Sequence, residues 1–122
     1  MSYIKNIPHE TVLPLAQQVE VQAGQVVSRT LAQNKAVSVT LFAFDKGEEI
    51  STHASGGDAL VTVLEGTGRF TIDGTPHVCH VGEAIVMPAG KPHSVFAEEC
   101  FKMLLTVVLP GGEDCACGGH KA

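Results

Sequence analysis

Six histidines and four cysteines are the side chains of this 122-residue chain best suited to hold a metal ion or to move a proton. His53 and Ser55 stand two apart in the β-type stretch Glu49 to Ser55, so a strand there projects both from one face. His93 opens another β-type stretch, His93 to Ala97. An imidazole titrates near neutral pH and serves as base, acid or ligand. A serine beside one histidine is too generic a pair to define a catalytic dyad, and no phosphate-cradling glycine loop is readable elsewhere. His77 and His80 read as rim or surface groups on Pro76 to Val81, and His9 precedes the strands. Cys115, Cys117 and His120 make a Cys-x-Cys plus one histidine on a glycine-rich tail. Three ligands of that kind support adventitious metal binding only.

The elements that must position these groups are short strands. Val37 to Phe44 alternates Ser38 and Thr40 against Val37, Val39 and Leu41, the period of two of a half-buried strand with its odd positions toward the core. Further strands are expected at Glu49 to Ser55, Ala59 to Glu65, Arg69 to Ile72, Pro76 to Val81, Glu83 to Met87, His93 to Ala97 and Cys100 to Leu109, with Val21 to Thr30 adding β-type residues ahead of them. Asp73-Gly74 is a hairpin signal, because both residue types tolerate positive φ. Eight or nine strands at roughly ten-residue spacing predict an all-β antiparallel barrel or sandwich. A helical turn fits only near Thr11 to Gln18, where Pro14 keeps it short. Residues 1–35 are expected to pack on a barrel core of residues 36–110. The tail 111–122, with four glycines and few apolar groups, is expected to be flexible.

Charge and composition narrow the partners. Eight basic against thirteen acidic residues leave a net charge of −5 with no basic stripe, which argues against nucleic acid. The longest apolar run, Met103 to Pro110, falls far short of the roughly 20 residues of a membrane helix, so no membrane partner is expected. Met1 to Asn6 lacks the apolar core of a signal peptide. A cytoplasmic location with four reduced thiols is therefore expected, Cys79 among them as a small buried hydrophobe.

Two stretches resemble the paired signatures of the cupin superfamily. Gly47, His53 and Gly66 fall at the intervals of its first motif, and Gly82, Pro88, Gly90 and His93 at those of its second. Three positions depart: Ser55 replaces the second histidine, Ala59 the glutamate and Ala97 the asparagine. Ser28 to Leu31, Gly57 to Ala59, Val61 to Leu64, Ile85 to Gly90 and Met103 to Leu105 are similar to small single-domain bacterial cupins without an assigned reaction.

The resemblance implies an antiparallel jelly-roll β-barrel, usually a homodimer, with the histidines of both motifs at its mouth. A full cupin site offers three histidines and a carboxylate to Fe, Mn, Ni or Zn. Here His53 and His93 remain as the candidate metal ligands, with Asp58 expected to point away from Ala59. By parity Phe101, Met103, Leu105 and Val107 face the interior, Lys102 and Thr106 the opposite side. Loss of the larger residues at Ala59 and Ala97 is expected to open an apolar space near the histidines. The expected pocket is His53, Ser55, His93 and Met103, taking a small organic molecule with no cofactor required. The alternatives are a metal-dependent enzyme (oxygenase, isomerase or lyase) acting on a small acid or enol, and a metal-free acid–base enzyme.

Overall fold

The computed structural model describes residues 3–110. Nine strands follow one another: β1 (Val26–Gln33), β2 (Val37–Phe44), β3 (Glu49–His53), β4 (Asp58–Glu65), β5 (Thr67–Ile72), β6 (Thr75–His80), β7 (Ala84–Met87), β8 (His93–Ala97) and β9 (Phe101–Val108). They form a five-stranded sheet in the order β1-β2-β9-β4-β7 and a four-stranded sheet in the order β3-β8-β5-β6, and every ladder is antiparallel. This is the jelly-roll arrangement, and it carries the all-β expectation. Ile72 and Thr75 pair across Asp73 and Gly74, whose φ of 49° and 85° make the two-residue hairpin that an Asp-Gly pair favours. Among the described residues the one helical element is a 3-10 turn, Leu15–Gln18, directly after Pro14. The tail expected to be flexible, with Cys115, Cys117 and His120, lies outside the described residues.

Between the sheets lies the barrel core. Phe44, Phe70 and Phe101 are fully buried at its closed end, with Phe44 stacked on Phe101 at 4.5 Å and Phe70 edge-on to Phe101 at 6.1 Å. Burying side chains of this size contributes about 1.5–3 kcal/mol each. A second core lies on the other face of the five-stranded sheet. There Val19, Leu31, Leu41 and Ala43 pack with Ile7, Leu15 and Leu104 under the N-terminal segment.

This second core corrects the reading of β2. Its odd residues Leu41 and Ala43 face the N-terminal segment, whereas the even residues Phe42 and Phe44 face the barrel interior. Both faces of the strand are apolar from Leu41 onward, so alternation alone does not say which face meets which core. The same covering buries Lys102, which is only 9% exposed on the face opposite Met103. Its ammonium donates to the Ala16 carbonyl at 2.8 Å and lies 3.5 Å from the Glu65 carboxylate. Further bonds hold the segment to β1: Lys5 N–H to the Leu31 carbonyl, Asn6 Nδ2 to the Thr30 carbonyl, and Arg29 to the Asn6 carbonyl.

The four glycines that match the motif intervals, Gly47, Gly66, Gly82 and Gly90, all have positive φ. Gly66 is the most constrained, because a Cβ there would strike the Cys100 carbonyl and the Phe101 backbone. Gly74 has a similar φ, 85°, with nothing within 4 Å. Left-handed backbone costs a side-chain-bearing residue about 1–2 kcal/mol. Gly74→Ala is therefore expected to lose about 1 kcal/mol of stability, and Gly66→Ala at least about 3 kcal/mol, because displaced backbone is added to the strain. Denaturant midpoints measure both. Equal losses would show that the approach of β5 to Phe101 is not rigid.

Candidate functional site

His53 ends β3 and His93 begins β8, and the two are direct cross-strand partners. Their ring centroids lie 4.5 Å apart with the planes at 69°. The register of β3 against β8 shifts between Ile50 and His53, so the ladder is irregular where the rings meet. His53 is exposed, whereas His93 is 2% exposed. Each ring Nδ1 faces a carbonyl two residues earlier, Ser51 at 2.9 Å for His53 and Lys91 at 3.1 Å for His93.

The rings flank a cavity of about 190 Å³ at the barrel mouth. Phe42 comes from β2, Ile50 and His53 from β3, Ala59 from β4 and Met87 from β7. Val95 joins His93 from β8, and Met103, Leu105 and Val107 line it from β9. Ser55 lies on the β3–β4 connection and completes the lining, so the cavity brings together all four expected pocket residues. The Ser55 hydroxyl is engaged locally: it donates to the Gly57 carbonyl at 3.0 Å and accepts the Gly57 N–H at 3.1 Å. None of the lining side chains is an Asp, Glu, Lys or Arg. Two larger hollows, about 290 Å³ beside Gln17 to Gln22 and about 460 Å³ along His77 to Cys79, are open surface depressions away from these histidines.

Phe42 and Ile50 are lining residues that sequence reasoning missed. The available signal was the unbroken apolar run Leu41 to Phe44, which marks a strand buried on both faces. Ala97 corrects the reading in the other direction. It shares the inward face of β8 with His93 and Val95 but lies four residues on, about 13 Å at the rise of a strand. It packs against Gly68 and the closed-end core and opens no space near the histidines. Ala59 does line the cavity.

The remaining candidates are dispersed. Asp58 is exposed, and its carboxylate accepts the Ala89 N–H at 2.8 Å, facing away from the cavity as strand parity predicts. His77 and His80 are exposed on β6, His80 being bound through its backbone N–H and Nδ1 to Glu83. His9 is exposed and bonds the Ile4 carbonyl. Cys79 is buried, Cys100 is exposed against the Asp45 carboxylate, and both are free thiols. Burial, reinforced by Glu83, raises the Cys79 pKa, which makes that thiol a poor nucleophile.

A transition-metal site needs about three protein ligands. The donor set at the cavity falls short: two imidazoles, a serine hydroxyl already bonded to Gly57, and Ala59 in place of a carboxylate. Among the described residues no group of three or more His, Cys, Asp or Glu side chains could hold a metal ion.

Burial is the largest influence on His93 and lowers its pKa below 6.5. The bond to the Lys91 carbonyl opposes this, and charge on His53 adds to the lowering. The folded protein therefore resists a proton that the unfolded chain accepts. Stability is expected to be fullest above about pH 6.5 and to fall as pH drops from there through the lowered pKa of His93. Thermal unfolding from about pH 8 to about pH 5 measures the slope. His93→Gln is expected to flatten it, and an unchanged slope would locate the acid sensitivity elsewhere.

The sequence profile of the family described as Cupin domain matches residues 40–109. A conserved protein of unknown function from Streptococcus pyogenes superposes with a TM-score of 0.90 at 49% identity, covering 92% of this chain and 98% of its own. A cupin superfamily protein from Desulfitobacterium hafniense superposes at 0.84 with 34% identity, covering 88% and 99%. Salicylate 1,2-dioxygenase from Pseudoaminobacter salicylatoxidans shares the fold alone: TM-score 0.65, 19% identity, 70% of this chain and 25% of that one. No curated protein matches the chain. No helix among the described residues is long and apolar enough to cross a membrane. The profile spans more than half of the chain, and the Streptococcus protein shares nearly half of its residues across almost the whole length, so the chain belongs to the cupin domain family.

Proposed function

We propose that this protein binds a small organic molecule in the cavity beside His53 and His93. The observation that carries the reading is the cavity itself: about 190 Å³, walled by apolar side chains and holding two imidazoles at one side. Drug-sized ligands and cofactors occupy roughly 300–1,000 Å³, whereas an apolar cavity of about 150 Å³ takes benzene. The volume therefore suits one ring or a short branched chain and excludes a nucleotide. The two-imidazole donor set ranks the metal-dependent enzyme below this reading. An acid–base role would have to pair His93 with His53, and the Nδ1 of each ring and the Ser55 hydroxyl are already bonded to backbone carbonyls, which ranks that reading lower as well.

The test is protein-observed NMR with single-ring probes. Shifts are expected at the Met87 and Met103 methyls and the His93 ring, and Ala59→Phe, which fills the cavity, is expected to abolish them. Shifts that persist in that variant would remove the cavity as the binding site.

We also propose a homodimer and a cytoplasmic setting. Part of the segment Val21 to Thr30 forms β1, an edge strand of the five-stranded sheet, and edges of this kind favour pairing with another chain. The free thiols Cys79 and Cys100 suit a reducing compartment. Light scattering at micromolar protein is expected to give about twice 12.8 kDa. A particle of 12.8 kDa would end the dimer reading.

A further inference from the structure

The polar lining of the cavity has a direction. A backbone carbonyl only accepts hydrogen bonds, so each Nδ1 that meets one must carry the hydrogen: His53 on the Ser51 carbonyl and His93 on the Lys91 carbonyl. In a neutral imidazole the other nitrogen then bears a lone pair. His93 is 2% exposed, and its Nε2 has no hydrogen-bond partner among the described residues. A buried acceptor left without a donor is destabilised relative to one that is paired. The Ser55 hydroxyl does not relieve it, because that proton goes to the Gly57 carbonyl. No Asp, Glu, Lys or Arg lines the space, so an ion entering it would meet no fixed counter-charge, and burying an unpaired ion is costly.

We propose that the cavity selects a neutral molecule of about one ring whose polar end, such as a hydroxyl on a ring or an enol, donates its hydrogen bond to the Nε2 atom of His93. The inference rests on the reading of the cavity as a ligand pocket and adds the chemical class of the ligand. The apolar body meets Phe42, Met87 and Met103, and the head group supplies the proton that the buried imidazole lacks. Discrimination follows from the unsatisfied acceptor, because an analogue of the same shape without the donor leaves Nε2 unpaired.

The experiment compares three probes on the full chain at about pH 7.5, where phenol is neutral and benzoate ionised. Phenol is expected to bind at least about tenfold more tightly than anisole, which keeps the ring and oxygen but has no proton to donate, and benzoate is expected not to bind. His93→Phe, which keeps a ring but removes the acceptor, is expected to erase the preference for phenol. Long-range nitrogen–proton NMR correlations on the unmodified protein are expected to show His53 and His93 as Nδ1–H tautomers. Equal affinity for phenol and anisole, tight binding of benzoate, or an Nε2–H tautomer at His93 would overturn the inference while leaving a ligand pocket in place. Failure of all three probes to shift the Met87, Met103 or His93 resonances would overturn the pocket reading and this inference with it.

Discussion

Strand β9 is where the two cores of this protein meet, and the rest of the architecture depends on its being buried on both sides. It pairs with β2 along one edge and β4 along the other. Alternation then sends Phe101, Met103, Leu105 and Val107 into the barrel and Lys102 and Leu104 toward the N-terminal segment. Phe101 closes one end of the barrel by contacts with Phe44 and Phe70. Met103, Leu105 and Val107 line the open end. One strand thereby supplies both the plug and the pocket wall.

Covering the outer face carries an electrostatic consequence. Lys102 stands among apolar side chains and is acceptable there because its ammonium meets the Ala16 carbonyl and the Glu65 carboxylate. Removing either partner from a buried charge is more damaging than never having placed the charge. The 3-10 turn that presents the Ala16 carbonyl is thus tied to the same strand that builds the cavity.

At the mouth the chemistry comes from what is kept and what is missing. His53 and His93 are held edge to face with Nδ1 anchored to backbone, which leaves Nε2 as the available atom of each ring. Ala59 supplies only a methyl group, and Asp58 beside it bonds the Ala89 backbone outside the cavity. Burial lowers the pKa of His93 and so favours its neutral form. Such a site offers hydrogen-bond acceptance in apolar surroundings rather than charge or a complete metal shell.

Much of this was legible from residue order, because it depends on local rules. Period-two alternation located β2 to the residue, and β-type stretches bounded by turn residues located β8 to the residue and β3 to β7 and β9 to within two, whereas β1 begins five residues after the expected Val21. Asp73-Gly74 marked its hairpin because turn geometry is a property of adjacent residues. Parity likewise turned Asp58 outward and Met103 inward. The interval of the motif residues brought His53 and His93 into consideration together through the resemblance, and Ala59 lines the cavity beside them. What residue order could not decide was which of two apolar faces meets which core. In β2 both Leu41 and Phe42 are apolar, and only the packing of the N-terminal segment on one side assigns Phe42 to the cavity. The position of Ala97, at the far end of β8 from His93, follows from strand rise and from its pairing with Gly68. The direction of the His93 hydrogen bond, and hence the free Nε2, arises from a carbonyl brought into reach by the folded turn before β8. Local period and turn chemistry act between neighbours along the chain, whereas burial and hydrogen-bond direction are set by groups that only the folded sheets bring together.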